Sequence, residues 1–68
     1  MLHELDVVRL KKDRTDLGIK STYEGTIVDV LGNGEAFTVE FFDELGETIM
    51  EGLYSEFSEE ELEIVPMA

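Results

Sequence analysis

The sequence predicts an all-β protein: a small SH3-like half-open barrel of about five mostly antiparallel strands, with one short helical or 3₁₀ turn before the last strand. Three observations predict it. Short β-branched and aromatic runs recur along the chain: "LDVVRL", "GTIVDVL", "EAFTVEFF", "TIMEGLYS" and "LEIV". Turn signals separate them, the strongest being Gly32-Asn33-Gly34, because Gly and Asn tolerate positive φ. A Ser58-x-x-Glu61 capping-box spacing stands just before the last run. A barrel limits exposed strand edges, the main hazard for a small all-β chain. An OB-like barrel is the rival arrangement and suits a longer chain.

The elements follow in order. Residues 5–10 form a first strand. Residues 11–22 are polar, contain Gly18 and read as a long loop. Residues 25–31 form a second strand, and the Gly-Asn-Gly turn leads into a third over 35–42. There Phe37, Val39 and Phe41 alternate with Thr38 and Glu40, which places both phenylalanines and the valine on one buried face. A second turn occupies 43–47, and a fourth strand is expected over 48–55, bulged or bent at Gly52. A capped helical or 3₁₀ turn at Ser58–Glu61 suits its acidic first turn. Residues 62–65 close the fold before Pro66, so that 1–68 read as a single SH3-like barrel domain without repeats or linkers.

At 68 residues such a domain buries only about 60% of its unfolded surface, and its core is thin. There is no cysteine, hence no disulfide framework and no thiolate metal site. The opening "MLHELDVVRL" lacks the basic and apolar regions of a signal peptide. No run approaches the roughly 18 apolar residues of a membrane span. A soluble cytoplasmic protein that avoids membranes is the expectation.

Charge is the most informative feature. Seventeen acidic residues face five basic ones, a net charge of −12. Arg9, Lys11, Lys12, Arg14 and Lys20 all lie in the first twenty positions, and residues 21–68 hold thirteen carboxylates with no lysine or arginine. Self-repulsion on this scale opposes a compact state, although salt screens it. Solubility is the plain explanation. It rarely requires the complete absence of cations over so long a stretch.

Several chemistries fit poorly. The one histidine, His3, stands near the terminus with no serine or cysteine partner in view, whereas a triad needs nucleophile, base and orienter. A barrel this small is filled by its own side chains, so no enzyme activity and no cofactor are expected. Asp43, Glu44 and Glu47 crowd one turn, but their spacing is not that of a calcium loop. They read as a solvated hairpin tip, and no metal is expected. Direct nucleic-acid binding would use the Arg9–Arg14 cluster against the opposition of the carboxylates, and is disfavoured.

A protein partner with a basic surface remains. Glu40, Asp29 and Glu51 are expected on the outside of the barrel, while the turns add Asp43, Glu44, Glu47, Glu59, Glu60 and Glu61. Such carboxylates complement lysine and arginine groups and speed encounter. Phe42, Tyr23 and Tyr54 are candidate apolar anchors, with partial core packing as the competing role. The residues expected to bind are Glu40, Phe42, Asp43, Glu44, Glu47, Tyr54, Glu59, Glu60 and Glu61.

"LDVVRL", the stretch "EGTIVDVLGNGEAFTVEF" with its following "LGET", and the closing "IV" together resemble a bacterial family of small proteins, the domain-of-unknown-function family four-nine-two-six. The matching positions include Asp6, Val7, Val8, Leu10, Gly25, Thr26, Val28, Val30, Val39, Glu40, Phe41, Gly46 and Thr48. Thr22 stands where the family has a loop glycine, and Phe37 where tyrosine is common. The core that answers to a G-x-V-V pattern, Gly25-Thr26-Ile27-Val28 here, is also similar to KOW-type barrels of translation and transcription factors. The resemblance implies the fold; members of the family are similar to small partner proteins encoded beside toxin-like genes. The expected function is therefore a non-enzymatic acidic protein-binding module, antitoxin-like or immunity-like, that covers a basic surface. The alternatives are a structural or regulatory barrel subunit and a nucleic-acid mimic.

Overall fold

Alternating burial builds the sheet. In the computed structural model, which describes residues 1–66, β1 spans Val7–Leu10, β2 Glu24–Leu31, β3 Ala36–Phe41 and β4 Leu62–Ile64. Val8 and Leu10 of β1, Ile27 of β2, and Phe37, Val39 and Phe41 of β3 turn inward and are buried, joined by Leu2, Ile19, Phe57 and Leu62. The period-2 expectation for β3 therefore holds at every position.

All strand pairings are antiparallel, in the order β3-β2-β1-β4. β1, β2 and β3 form a meander, and β4 returns to the free side of β1, with Val8 opposite Ile64 and Leu10 opposite Leu62. A 3₁₀ turn, Glu59–Glu61, stands immediately before β4 as the capping-box spacing predicts. The outer edge of β3 is not left bare. Phe37 exchanges both backbone hydrogen bonds with Phe57 (2.8 and 2.9 Å), and the Ile49 N–H donates to the Phe41 carbonyl at 2.9 Å.

The expected fourth strand over 48–55 is absent. Thr48 makes one bridge with Phe42, and the chain then winds into a short helix, α1, Met50–Leu53. Its cause is legible: Ile49, Gly52 and Leu53, the more buried residues here, follow an i, i+3, i+4 spacing, which is helical rather than alternating. Gly52 is not a strand bulge. It lies buried in α1, where a β-carbon would come 2.9 Å from Ile19 Cδ1. The sheet accordingly has four strands rather than about five.

The bulge falls instead in β2. Register shifts between Ile27 and Asp29, so Val28 and Asp29 both face solvent and Val30 turns back to pack against the core. An extra residue in one strand of an antiparallel pair has this effect. It takes Asp29 off the Ile27 face on which strict alternation would place it. β1 also begins two residues later than expected, because Leu5 adopts a left-handed φ of 74°. The His3 N–H donates to Asp6 Oδ2 at 2.8 Å across that turn.

The loop 11–22 is more ordered than its polar composition suggests. It contains a 3₁₀ turn, Thr15–Leu17, with Gly18 left-handed at its end. Arg14 bridges to Ile19, whose side chain enters the core.

Candidate functional site

Two hydroxyl-to-carboxylate hydrogen bonds, Tyr23 to Glu44 and Thr48 to Glu40, and one turn braced by Asp43 organise the acidic surface. β3 ends at Phe41, and the Phe42 N–H donates to the Glu24 carbonyl at 3.0 Å. The chain then reverses through 43–47. Asp43 Oδ1 accepts the N–H groups of Leu45 (2.9 Å) and Glu47 (3.0 Å), and Gly46 takes the left-handed φ the turn needs. Asp43 is thus a bracing residue of the turn. The turn holds Glu44, Leu45 and Glu47 out into solvent, Leu45 being 81% exposed.

Glu40 stands on the outward face of β3, where its Oε2 accepts the Thr48 hydroxyl at 2.8 Å. Glu44 Oε2 accepts the Tyr23 hydroxyl at 3.1 Å. Partial desolvation, followed by this hydrogen bond and the charges of Glu44 and Asp43, pushes the Tyr23 hydroxyl above its ordinary value of 10.0. Thr22, Tyr23, Glu24, Phe42, Asp43 and Glu44 line an open groove, with Phe42 and Tyr23 half-buried as its two rings.

Beyond the turn, α1 presents Glu51 to solvent. Met50 is 48% exposed, and Tyr54, which caps the C-terminal end of α1, is 84% exposed. Residues four apart on a helix share a face, which places these two apolar groups together. Tyr54 is therefore no part of the core, and Phe42 is half in and half out.

Glu59, Glu60 and Glu61 lie elsewhere. The Ser58 N–H donates to Glu61 Oε2 at 2.9 Å, and the Ser58 hydroxyl to the same oxygen at 3.2 Å. Arg14 Nη1 donates to Glu61 Oε1 at 3.0 Å. Arg14 also grips Asp16 through Nε and Nη2, each at 3.0 Å, and its guanidinium lies 5.7 Å from the centre of the Phe57 ring. Those bonds hold Arg14 above and Asp16 below their ordinary values. Lys11, Lys12, Asp13 and Arg14 share a recess with Glu60 and Glu61. The densest acidic run in the sequence thus meets the basic segment in space, and Glu61 serves the fold.

The expected residues divide into two groups. Glu40, Phe42, Asp43, Glu44 and Glu47 gather at the end of β3 and its turn, with Tyr54 following on α1; Glu59–Glu61 belong to the Arg14 corner. Among the described residues, only Asp6, Asp16, Glu24 and Glu61 have a basic group within ion-pair distance. Leu45 and Met50 escaped the sequence reading. Leu45 sits between carboxylates in a turn with no core pattern, and Met50 precedes Tyr54 by four; either could have marked an exposed apolar site. The His3 imidazole Nδ1 lies 3.9 Å from Asp6 Oδ2, and the side chain is 70% exposed.

No helix among the described residues is long and apolar enough to cross a membrane. Among them no group of three or more histidine and acidic side chains is arranged to hold a metal ion. The model of a family described as a domain of unknown function, DUF4926, matches residues 4–63. No curated protein and no solved structure matches the chain.

Proposed function

We propose that this chain, which belongs to the domain-of-unknown-function family DUF4926, is a non-enzymatic module that binds a protein with a basic surface. It acts by occlusion in the manner of an antitoxin or immunity protein, laying carboxylates over a cationic cleft. One observation carries the reading. The single segment 43–54 presents Glu44, Glu47 and Glu51 to solvent with no basic group of the described residues within ion-pair distance, and sets the exposed Leu45, Met50 and Tyr54 among them. Apolar anchors within a charged rim are the usual anatomy of a recognition surface. Unpaired carboxylates on a braced turn attract cations at little entropic cost.

The test is affinity capture from lysate of the source organism, run against an unrelated domain of equal size and net charge. The expected result is a basic protein retained by this chain and not by the charge-matched control, and lost when Glu44, Glu47 and Glu51 are changed together to lysine. Equal retention by the control would reduce the acidic surface to an aid to solubility and overturn the reading.

A further inference from the structure

We infer that the groove between Tyr23 and Phe42 is a receptor for one arginine side chain of a protein partner. This rests on the reading of the acidic surface as a docking face for a basic protein, and names its anchoring subsite.

The groove, about 520 Å³ and open to solvent, combines two half-buried aromatic rings with three carboxylates, those of Glu24, Asp43 and Glu44. Their charges are not equivalent. Glu24 is already engaged by Arg9 Nη2 at 2.9 Å. Asp43 spends Oδ1 on the Leu45 and Glu47 N–H groups, and Glu44 spends Oε2 on the Tyr23 hydroxyl. Each of these two keeps its second oxygen without a hydrogen bond to the described residues, and neither has an ion pair. Two negative charges on anchored side chains therefore line a groove that Tyr23 and Phe42 also line.

The chain itself shows what such rings attract. Lys20 Nζ lies 6.0 Å from the centre of the Tyr23 ring, and the Arg14 guanidinium lies over the Phe57 ring, 5.7 Å from its centre, while its fork is held by carboxylates. A ring beside unpaired carboxylates suits a guanidinium best. The group is planar, weakly hydrated and rich in donors, so it can lie on Phe42 while it donates to Asp43 and Glu44. Ammonium is more strongly hydrated and presents no plane to stack. Phosphate is repelled.

The probe is N-acetyl-arginine amide, titrated into the isotope-labelled full chain with amide chemical shifts as the readout. Shifts that saturate at residues 22–24 and 42–44 are expected. N-acetyl-lysine amide should bind several-fold more weakly, by roughly the difference in cation–π and stacking strength. Phe42→Leu keeps an apolar side chain but removes the ring, and Glu44→Gln keeps an acceptor for Tyr23 but removes the charge. Each should weaken binding of the arginine probe by about tenfold, near the worth of one such contact. Linear shifts, shifts spread equally to Glu51 and Glu59, or equal binding of the lysine probe would overturn the assignment.

The two failures are distinguishable. Should a captured partner bind Phe42→Leu and Glu44→Gln as well as the parent chain, the subsite is wrong and the proposed function stands. Should the arginine probe saturate the groove while no partner is retained, the subsite stands and the proposed function falls.

Discussion

At Gly25 a methyl group would sit 2.7 Å from both the Phe41 ring and the Val39 γ-carbon, and 3.0 Å from the Glu40 carbonyl oxygen. Two of these neighbours are core side chains with no exposure and the third is backbone, so nothing nearby can yield. Gly25→Ala should cost about 1–3 kcal/mol, the usual result of overpacking, and lower the melting temperature by about 4–8 °C per kcal/mol. Gly52 offers the contrast. Its absent methyl group would come close only to the far end of Ile19, at 2.9 Å, with the Phe41 ring at an ordinary contact distance of 3.8 Å, and alanine is favoured over glycine in a helix by about 1 kcal/mol. Gly52→Ala should therefore stay within about 1 kcal/mol of the parent. Calorimetry of the two variants settles the ranking; equal losses would contradict the packing described for β2 and α1. The sequence showed that Gly25 opens a strand, but which side chains close over it depends on the register with β3. Phe37, Val39 and Phe41 were legible as core because alternation alone fixes their face. Phe42 was not, since it follows the strand and its exposure depends on the turn.

At the scale of elements, the loop 11–22 is held by carboxylates as well as by burial of Ile19 and the packing of Leu17 against the core. Asp13 Oδ1 accepts the Ser21 N–H at 2.7 Å. This bond is the main reason its pKa falls below 3.8, while Arg14 does the same for Asp16. Lowered folded-state values contribute stability above the unfolded value, and that contribution is lost as pH falls through the folded one. Asp13→Asn should therefore lower the urea midpoint at neutral pH, and its difference from the parent should shrink as pH falls through the lowered folded-state value of Asp13. A difference that persisted in acid would show that the carboxylate charge is not what holds the loop. This order was hidden in the sequence, because Arg14 finds Glu61 forty-seven residues away. α1 was missed for another reason: "TIMEGLYS" carries β-branched residues at its start and helix formers after them, and only the i, i+3, i+4 burial decides. The capping box before β4 was legible because its signal is entirely local.

Across the whole molecule, charge is distributed less evenly in effect than in sequence. Folding brings Arg14, with Lys11 and Lys12, to the Glu59–Glu61 corner, and leaves segment 43–54 with three exposed apolar groups, Leu45, Met50 and Tyr54, among its carboxylates. Composition could reveal the excess of carboxylates. It could not reveal which of them the five cations would neutralise, because that pairing is tertiary. Fold class and family were readable from strand runs and turn residues, whereas the division of the acidic surface was readable only from the fold. Under the proposed function, the unneutralised part recognises a cationic protein by electrostatic attraction. The most direct test is the association rate of the captured partner at ionic strengths from about 20 mM to about 300 mM, where the Debye length shrinks from about 20 Å to less than 8 Å. The on-rate should fall by about tenfold or more over that range, with a smaller change in off-rate. An association rate that does not change with salt would contradict that reading.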